Sequence, residues 1–138
     1  MQAAFRVATW AWLVAGVVWL VKVALIAENG GTDTSGGLVG VAFFIGVVAL
    51  VVAGAASGFV LLRRRRSWLG YVGLVLGVVV TLVGFVVLEG VLKEIVPADG
   101  WFEGEVGIVG TAIAALLLGV TLWRRRPPVL PTSAEQPT

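Results

Sequence analysis

Four long apolar runs, separated by short polar segments, limit what this sequence can fold into. The runs cover about residues 7–27, 38–62, 68–92 and 106–123, and each is close to the ~20 residues that cross roughly 30 Å of hydrocarbon. Of the 138 residues, 59% are hydrophobic and 13% are charged, a charged fraction about half that of soluble domains. We therefore predict a multi-pass membrane protein, in which no soluble domain of useful size remains.

The spans are predicted to be helices. Barrel strands would show alternating polarity in segments of about ten residues, and no such segments occur. Lys22 interrupts the first run, so we expect that run to be retained as a helix instead of cleaved as a signal peptide. The prediction is an all-α, antiparallel four-helix transmembrane bundle over residues 1–126. Residues 127–138 are polar and proline-rich, which predicts a disordered cytoplasmic tail.

Two arginine clusters orient the chain. Arg63 to Arg66 follow the second run, Arg124 to Arg126 follow the fourth, and Arg6 precedes the first. Since arginine beside a span favours the cytoplasmic side, both termini and the 63–67 loop are predicted to be cytoplasmic, and the 28–37 and 93–105 loops to face outward. The clusters could also attract anionic lipid, although an ordinary span flank explains them too. The composition resembles that of a bacterial cytoplasmic-membrane protein.

The two halves of the chain align without a gap. An offset of 61 residues places Gly16, Gly46 and Gly58 on Gly77, Gly107 and Gly119, and it places residues 63–65 on residues 124–126. The alignment indicates two duplicated helical hairpins, which would form a parallel repeat because both enter from the cytoplasm. The alternative is two unrelated hairpins of similar composition, since chance identity is high among Val, Gly, Leu and Ala.

Glycines recur on single faces of the last three spans. Lipid tails are as apolar as leucine, so transmembrane helices associate by close packing, which small residues permit. The pattern favours helix packing, either inside one bundle or between copies of the chain. The residues predicted to carry this packing are Gly54, Gly58, Gly70, Gly73, Gly77, Gly84, Gly107 and Gly110.

Two charges lie inside predicted spans near the outer face. Lys22 is in the first span and Glu89 is in the third, and a lone charge in hydrocarbon costs at least a few kcal/mol. One hypothesis is a Lys22–Glu89 ion pair between the two helices. The alternative is that each reaches the interface separately, with Lys22 beside Glu28 and Glu89 beside Lys93, its neighbour one turn later.

The sequence contains few residues that could act in catalysis or bind a cofactor. It contains neither His nor Cys, so the usual pairs of nucleophile and base cannot be assembled. The acidic residues of the 93–105 loop do not follow a calcium-loop spacing, and no phosphate-binding glycine loop occurs. The net charge of +2 comes from residues flanking spans, which argues against nucleic acid. We expect no enzyme activity, no metal and no cofactor.

The expected function is therefore non-enzymatic. We expect a small integral membrane protein that packs with itself or with a larger membrane complex, in an accessory or assembly role. The alternative is a small homo-oligomeric transporter or channel that uses Lys22 and Glu89. In size and span count the chain is similar to the small multidrug resistance transporters, but the glutamate that this family carries in its first span is absent here.

Overall fold

The computed structural model describes residues 1–30, 37–97 and 99–126, and this part of the chain folds into four helices. These are α1 (Gln2–Glu28), α2 (Leu38–Arg63), α3 (Leu69–Ile95) and α4 (Trp101–Arg124). Each is long and apolar enough to cross a membrane, so the predicted all-α architecture with four span-length helices is confirmed. The tail predicted at 127–138 lies outside the described residues.

The fourth helix begins earlier than its apolar run. The predicted span started at Val106, whereas α4 starts at Trp101, directly after Gly100. Glu103 lies in the first turn, where a carboxylate interacts favourably with the positive end of the helix dipole. The prediction that residues 101–105 belong to a loop is therefore wrong, and Glu105 stands on a rigid helix.

The helices form a ring in chain order. α1 packs against α2 and α4, and α3 packs against α2 and α4. Consecutive helices are antiparallel, so Trp10 stacks edge-on against Trp123 at one end, while Lys22 meets Glu105 at the other. We call the first the arginine end, which holds residues 1–6, 63–68 and 124–126. The second is the acidic end, which holds residues 22–30, 89–97 and 99–105.

Trp19 of α1 fills the centre of the bundle. Its side chain is 1% exposed, and its indole Nε1 donates a hydrogen bond to the Phe43 carbonyl oxygen at 3.2 Å. Gly46 makes the space, since a Cβ there would overlap the indole ring. The rings of Phe43 and Phe85 pack against it at centroid distances of 6.1 and 5.3 Å. One tryptophan thus joins α1, α2 and α3, with its polar atom satisfied.

The second and third helices touch backbone to backbone. A Cβ at Gly58 would overlap the carbonyl oxygen of Gly73, and a Cβ at Gly77 would overlap that of Gly54. The two small-x-x-x-small pairs therefore face each other across the α2–α3 interface. This close approach is the arrangement that glycine permits between helices in an apolar medium.

Apart from this contact, α3 is the least buried helix. Among its described residues only Gly70 and Gly73 are buried, and its interface with α4 is the least extensive of the four helix pairs in the ring. The bundle is therefore closed on three sides and loosely closed on the fourth. A cleft results between α3 and α4.

Candidate functional site

A buried ion pair joins α1 to α4 near the acidic end. Lys22 Nζ donates to Glu105 Oε2 at 2.6 Å, and Lys22 is only 6% exposed. The ammonium also lies 5.7 Å from the centroid of the Phe43 ring, within the range of a cation–π interaction. Lys22 lies on the face of α1 that carries Trp19, one turn later. The charge is therefore enclosed by one carboxylate and one aromatic ring.

Glu89 has a different partner from the predicted one. Its Oε1 accepts a hydrogen bond from Lys93 Nζ at 2.8 Å, one turn along α3. The predicted Lys22–Glu89 pair is thus replaced by two others, Lys22–Glu105 and Glu89–Lys93. The reason is the ring order, since α4 lies between α1 and α3 and supplies the carboxylate that Lys22 meets. The alternative given for Glu89, a bridge to Lys93, is the arrangement observed.

The remaining predicted glycines fall into two groups. Gly70 faces the Phe59 ring of α2, and Gly107 and Gly110 of α4 face side chains of α3. Gly84 of α3 differs, because nothing lies within 4 Å of the position that its Cβ would take. Seven of the eight predicted glycines therefore serve contacts inside the chain, and Gly84 borders open space.

The cleft between α3 and α4 has a volume of about 510 Å³, within the ~300–1,000 Å³ typical of ligand pockets. Its wall is almost entirely apolar, and its three hydroxyl-bearing residues are Ser57, Thr81 and Thr111. Two of these hydroxyls are bonded within the bundle. Ser57 Oγ accepts a hydrogen bond from Trp12 Nε1 at 3.0 Å, and Thr111 Oγ1 donates to the Gly107 carbonyl at 2.8 Å. The cleft is therefore an apolar space in which two of the three hydroxyl groups already have hydrogen-bond partners in the bundle.

A second cavity, of about 290 Å³, lies at the arginine end between α1, α2 and α4. It shares four lining residues with the cleft, so the two spaces adjoin: Trp12, Ser57, Leu61 and Leu118. Arg64 and Arg125 are the charged residues in its wall. The cleft and this cavity, which we together call the passage, extend through the bundle to a wall that contains Arg64 and Arg125.

The predicted arginines have distinct neighbours. The Arg63 guanidinium lies 5.1 Å from the Phe59 ring centroid and that of Arg126 lies 3.8 Å from the Trp123 ring centroid. Each cluster thus has one arginine over an aromatic ring and one, Arg64 or Arg125, at the cavity. All seven predicted arginines are exposed: Arg63, Arg64, Arg65, Arg66, Arg124, Arg125 and Arg126.

Sequence reasoning missed Glu105 as the partner of Lys22, although a signal for it existed. Glu105 precedes Ile108, Ala112, Ala115 and Gly119 at steps of three and four residues, and those four residues are buried on one face of α4. This spacing is typical of a helix with one packed face, so Glu105 belongs to the inner face and not to a loop. Trp19 had no comparable signal, because its role depends on the distant Gly46.

The arrangement offers places for binding and little for bond-breaking chemistry. Among the described residues, no group of three His, Cys, Asp or Glu side chains lies close enough together to hold a metal ion. Ser57 meets an indole N–H and not a base. What the geometry provides is an apolar passage with a cationic mouth, and separately a closed ion pair.

Comparison with known proteins finds no relative for this fold. No family model matches the chain, and neither a curated protein nor a solved structure is significantly similar to it.

Proposed function

We propose that the chain is a multi-pass membrane protein with cytoplasmic termini, and that its role is non-enzymatic assembly within the bilayer, either with itself or with a larger membrane complex. The arginine end would then be cytoplasmic, since arginine flanks of spans are retained on that side. The acidic end would face outward. The bacterial cytoplasmic membrane is the setting that the composition favours.

One observation carries the assembly role, namely the exposed valine face of α3. Five valines follow one another at steps of three or four residues and are between 39% and 64% exposed: Val72, Val75, Val79, Val83 and Val86. Gly90 continues the line, with nothing within 4 Å of a Cβ there. β-branched side chains have little rotamer freedom to lose in a helix, so this face can pack closely against another helix at low entropic cost. It lies outside the cleft.

Cysteine cross-linking tests this proposal directly, because the chain has no native Cys. Val79→Cys places a thiol on the valine face, and Val17→Cys places one on α1 at a closely matched exposure of 51% against 50%. Oxidation in native membranes should join two Val79→Cys chains, or one such chain to a partner identified by mass spectrometry. Val17→Cys should give much less product. Equal yields from the two variants, or no product from Val79→Cys, would contradict assembly through α3.

Transport is the alternative function, and the charges give it less support. A transporter using Lys22 and Glu89 would need both side chains on a shared pathway. Lys22 is instead bonded to Glu105, Glu89 is bonded to Lys93, and neither residue lines the cleft. Proton flux into liposomes that is lost on Glu89→Gln would reverse this preference.

We also propose that the chain arose by duplication of one helical hairpin. Glycines aligned by the offset of 61 residues contact equivalent neighbours. Gly16 meets α4 and Gly77 meets α2, while Gly58 meets α3 and Gly119 meets α1. At the arginine-end cavity, the aligned positions 57, 61 and 64 stand opposite 118, 122 and 125. This support is independent of composition, because it depends on which helix each residue touches.

A further inference from the structure

The arginine-end cavity combines an apolar lining with two arginine side chains. Arg64 comes from the segment after α2 and Arg125 from the segment after α4, and both line the same space. Every described carboxylate lies at the acidic end, far along the bundle from these guanidinium groups. Two cations at one cavity without a nearby described anion favour a ligand that carries negative charge.

The space beyond the arginines is apolar. From the cavity, the lining continues past Trp12 and Leu118 into the cleft between α3 and α4. On α3 the lining runs from Gly73 to Leu88, which is about 22 Å along the axis at roughly 1.5 Å per residue. One leaflet of a bilayer is about 15 Å deep in hydrocarbon, half of the ~30 Å core. A single acyl chain therefore fits the passage along its length.

The cleft is open at its side. Val80 and Leu118, which stand on its two walls, are 68% and 47% exposed, and Gly84 presents no side chain. An acyl chain could therefore enter from the bilayer without unfolding any helix.

The charge of the arginine end decides whether a second copy of the chain or an anionic lipid is the better occupant of the cleft. A second copy of the chain in the same membrane orientation would bring its own arginine clusters to this end, so like charges would meet. An anionic lipid would bring the opposite charge, and roughly 1 kcal/mol of attraction is typical for each arginine near anionic headgroups. The two arginines therefore favour the anionic lipid as the occupant of the cleft.

We propose that the arginine-end cavity and the α3–α4 cleft form one binding site for an anionic phospholipid. The phosphate lies between Arg64 and Arg125, and one acyl chain lies in the cleft. The inference rests on the proposed membrane location with a cytoplasmic arginine end, but it is independent of assembly through the valine face.

Native mass spectrometry of the full chain, released from detergent micelles that contain phosphatidylglycerol and phosphatidylcholine, measures the preference for the anionic lipid. The double variant Arg64→Gln/Arg125→Gln should lose about 30-fold in that preference, which corresponds to about 2 kcal/mol. The control Arg66→Gln/Arg124→Gln removes the same charge from the same clusters, away from the cavity, and should change the preference little. Arg64→Lys/Arg125→Lys should retain most of it. Equal losses in the Gln double variant and its control would overturn the proposal in favour of a diffuse basic surface.

The acyl chain is tested separately on α3. Gly84→Leu adds a side chain at the cleft and Gly90→Leu adds the same side chain on the valine face, and nothing lies within 4 Å of the new Cβ at either position. The first should reduce retained phosphatidylglycerol about fivefold, which corresponds to about 1 kcal/mol of binding, and the second should not. Glycerol phosphate, which has the headgroup chemistry without acyl chains, should not compete. Competition by glycerol phosphate, or equal binding to both glycine variants, would refute a lipid chain in the cleft. Unchanged helical circular dichroism shows that each variant is folded. If Val79→Cys gives no cross-linked product, the assembly proposal fails and the lipid proposal stands.

Discussion

Removing the Glu105 carboxylate should destabilise the bundle far more than removing the Glu89 carboxylate. Lys22 and Glu105 are 2.6 Å apart with side-chain exposures of 7% and 16%, whereas Lys93 and Glu89 have exposures of 42% and 30%. At an effective dielectric constant of about 20, Coulomb's law gives roughly 6 kcal/mol of attraction for the buried pair. In the Glu105→Leu variant, part of this lost attraction is recovered when the Lys22 side chain extends towards water. We therefore expect Glu105→Leu to lower the free energy of unfolding by about 3 kcal/mol, the lower end of the range for a broken buried pair.

Two further variants separate the ion pair from the helix positions. The double variant Lys22→Met/Glu105→Leu removes both charges and should recover most of the loss, since apolar replacement of a buried pair is often close to neutral. Glu89→Leu removes one partner of the exposed Glu89–Lys93 pair, whose residues lie one helical turn apart. Such surface pairs contribute little to the free energy of unfolding. Because Lys93 is exposed to solvent, its charge remains hydrated without Glu89.

The assay is reversible unfolding in mixed micelles, followed by helical circular dichroism and converted to free energy by linear extrapolation. The expected order of stability is wild type, Glu89→Leu and the double variant close together, with Glu105→Leu well below them. The reasoning would be refuted if Glu105→Leu matched wild type while Glu89→Leu lost several kcal/mol. That result would restore Glu89 as the partner of Lys22.

Three further comparisons test the packing. Gly58→Ala should destabilise the bundle by about 1–3 kcal/mol, because its Cβ meets the Gly73 backbone and overpacking strains the interface; Gly84→Ala, which faces open space, should be neutral or stabilising by up to ~1 kcal/mol in the same unfolding assay. Trp19→Leu should cost about 3 kcal/mol or more by leaving a cavity among its ring neighbours, measured against Trp10→Leu at the exposed periphery. Ser57→Ala should cost about 1 kcal/mol by leaving the Trp12 indole N–H without its acceptor.

The helices were predictable and their partners were not. Runs of about 20 apolar residues define spans because the bilayer sets their length, and the described helices follow those runs closely. The predicted Lys22–Glu89 pair was wrong because the sequence does not show that α4 lies between α1 and α3 in the ring. Starting the last span at Val106 also removed Glu105 from consideration.

The glycine spacing likewise predicted which residues pack closely, but it did not predict which helix they contact. A small-x-x-x-small pair fixes how closely two helices approach, but any helix with a matching face can be the partner. In the structure Gly54 and Gly58 meet Gly77 and Gly73 of the same chain, so these pairs are already occupied. The valine face that we propose for assembly was not marked by any glycine motif.

One difference between the proposed repeats lies at the cleft. The offset that aligns Gly46 with Gly107 also aligns Trp19 with Val80. In the first hairpin Trp19 inserts over Gly46 and closes α1 against α2. In the second hairpin, a valine stands where the tryptophan would be, and the Glu89 side chain covers Gly107 near the acidic end. Val80 lines the cleft and is 68% exposed, so it does not bridge α3 and α4 as Trp19 bridges α1 and α2. At the arginine end, positions equivalent in the two hairpins supply Arg64 and Arg125. If the hairpins arose by duplication, as proposed, both copies carried the cation and they later diverged at the position of Trp19 and Val80.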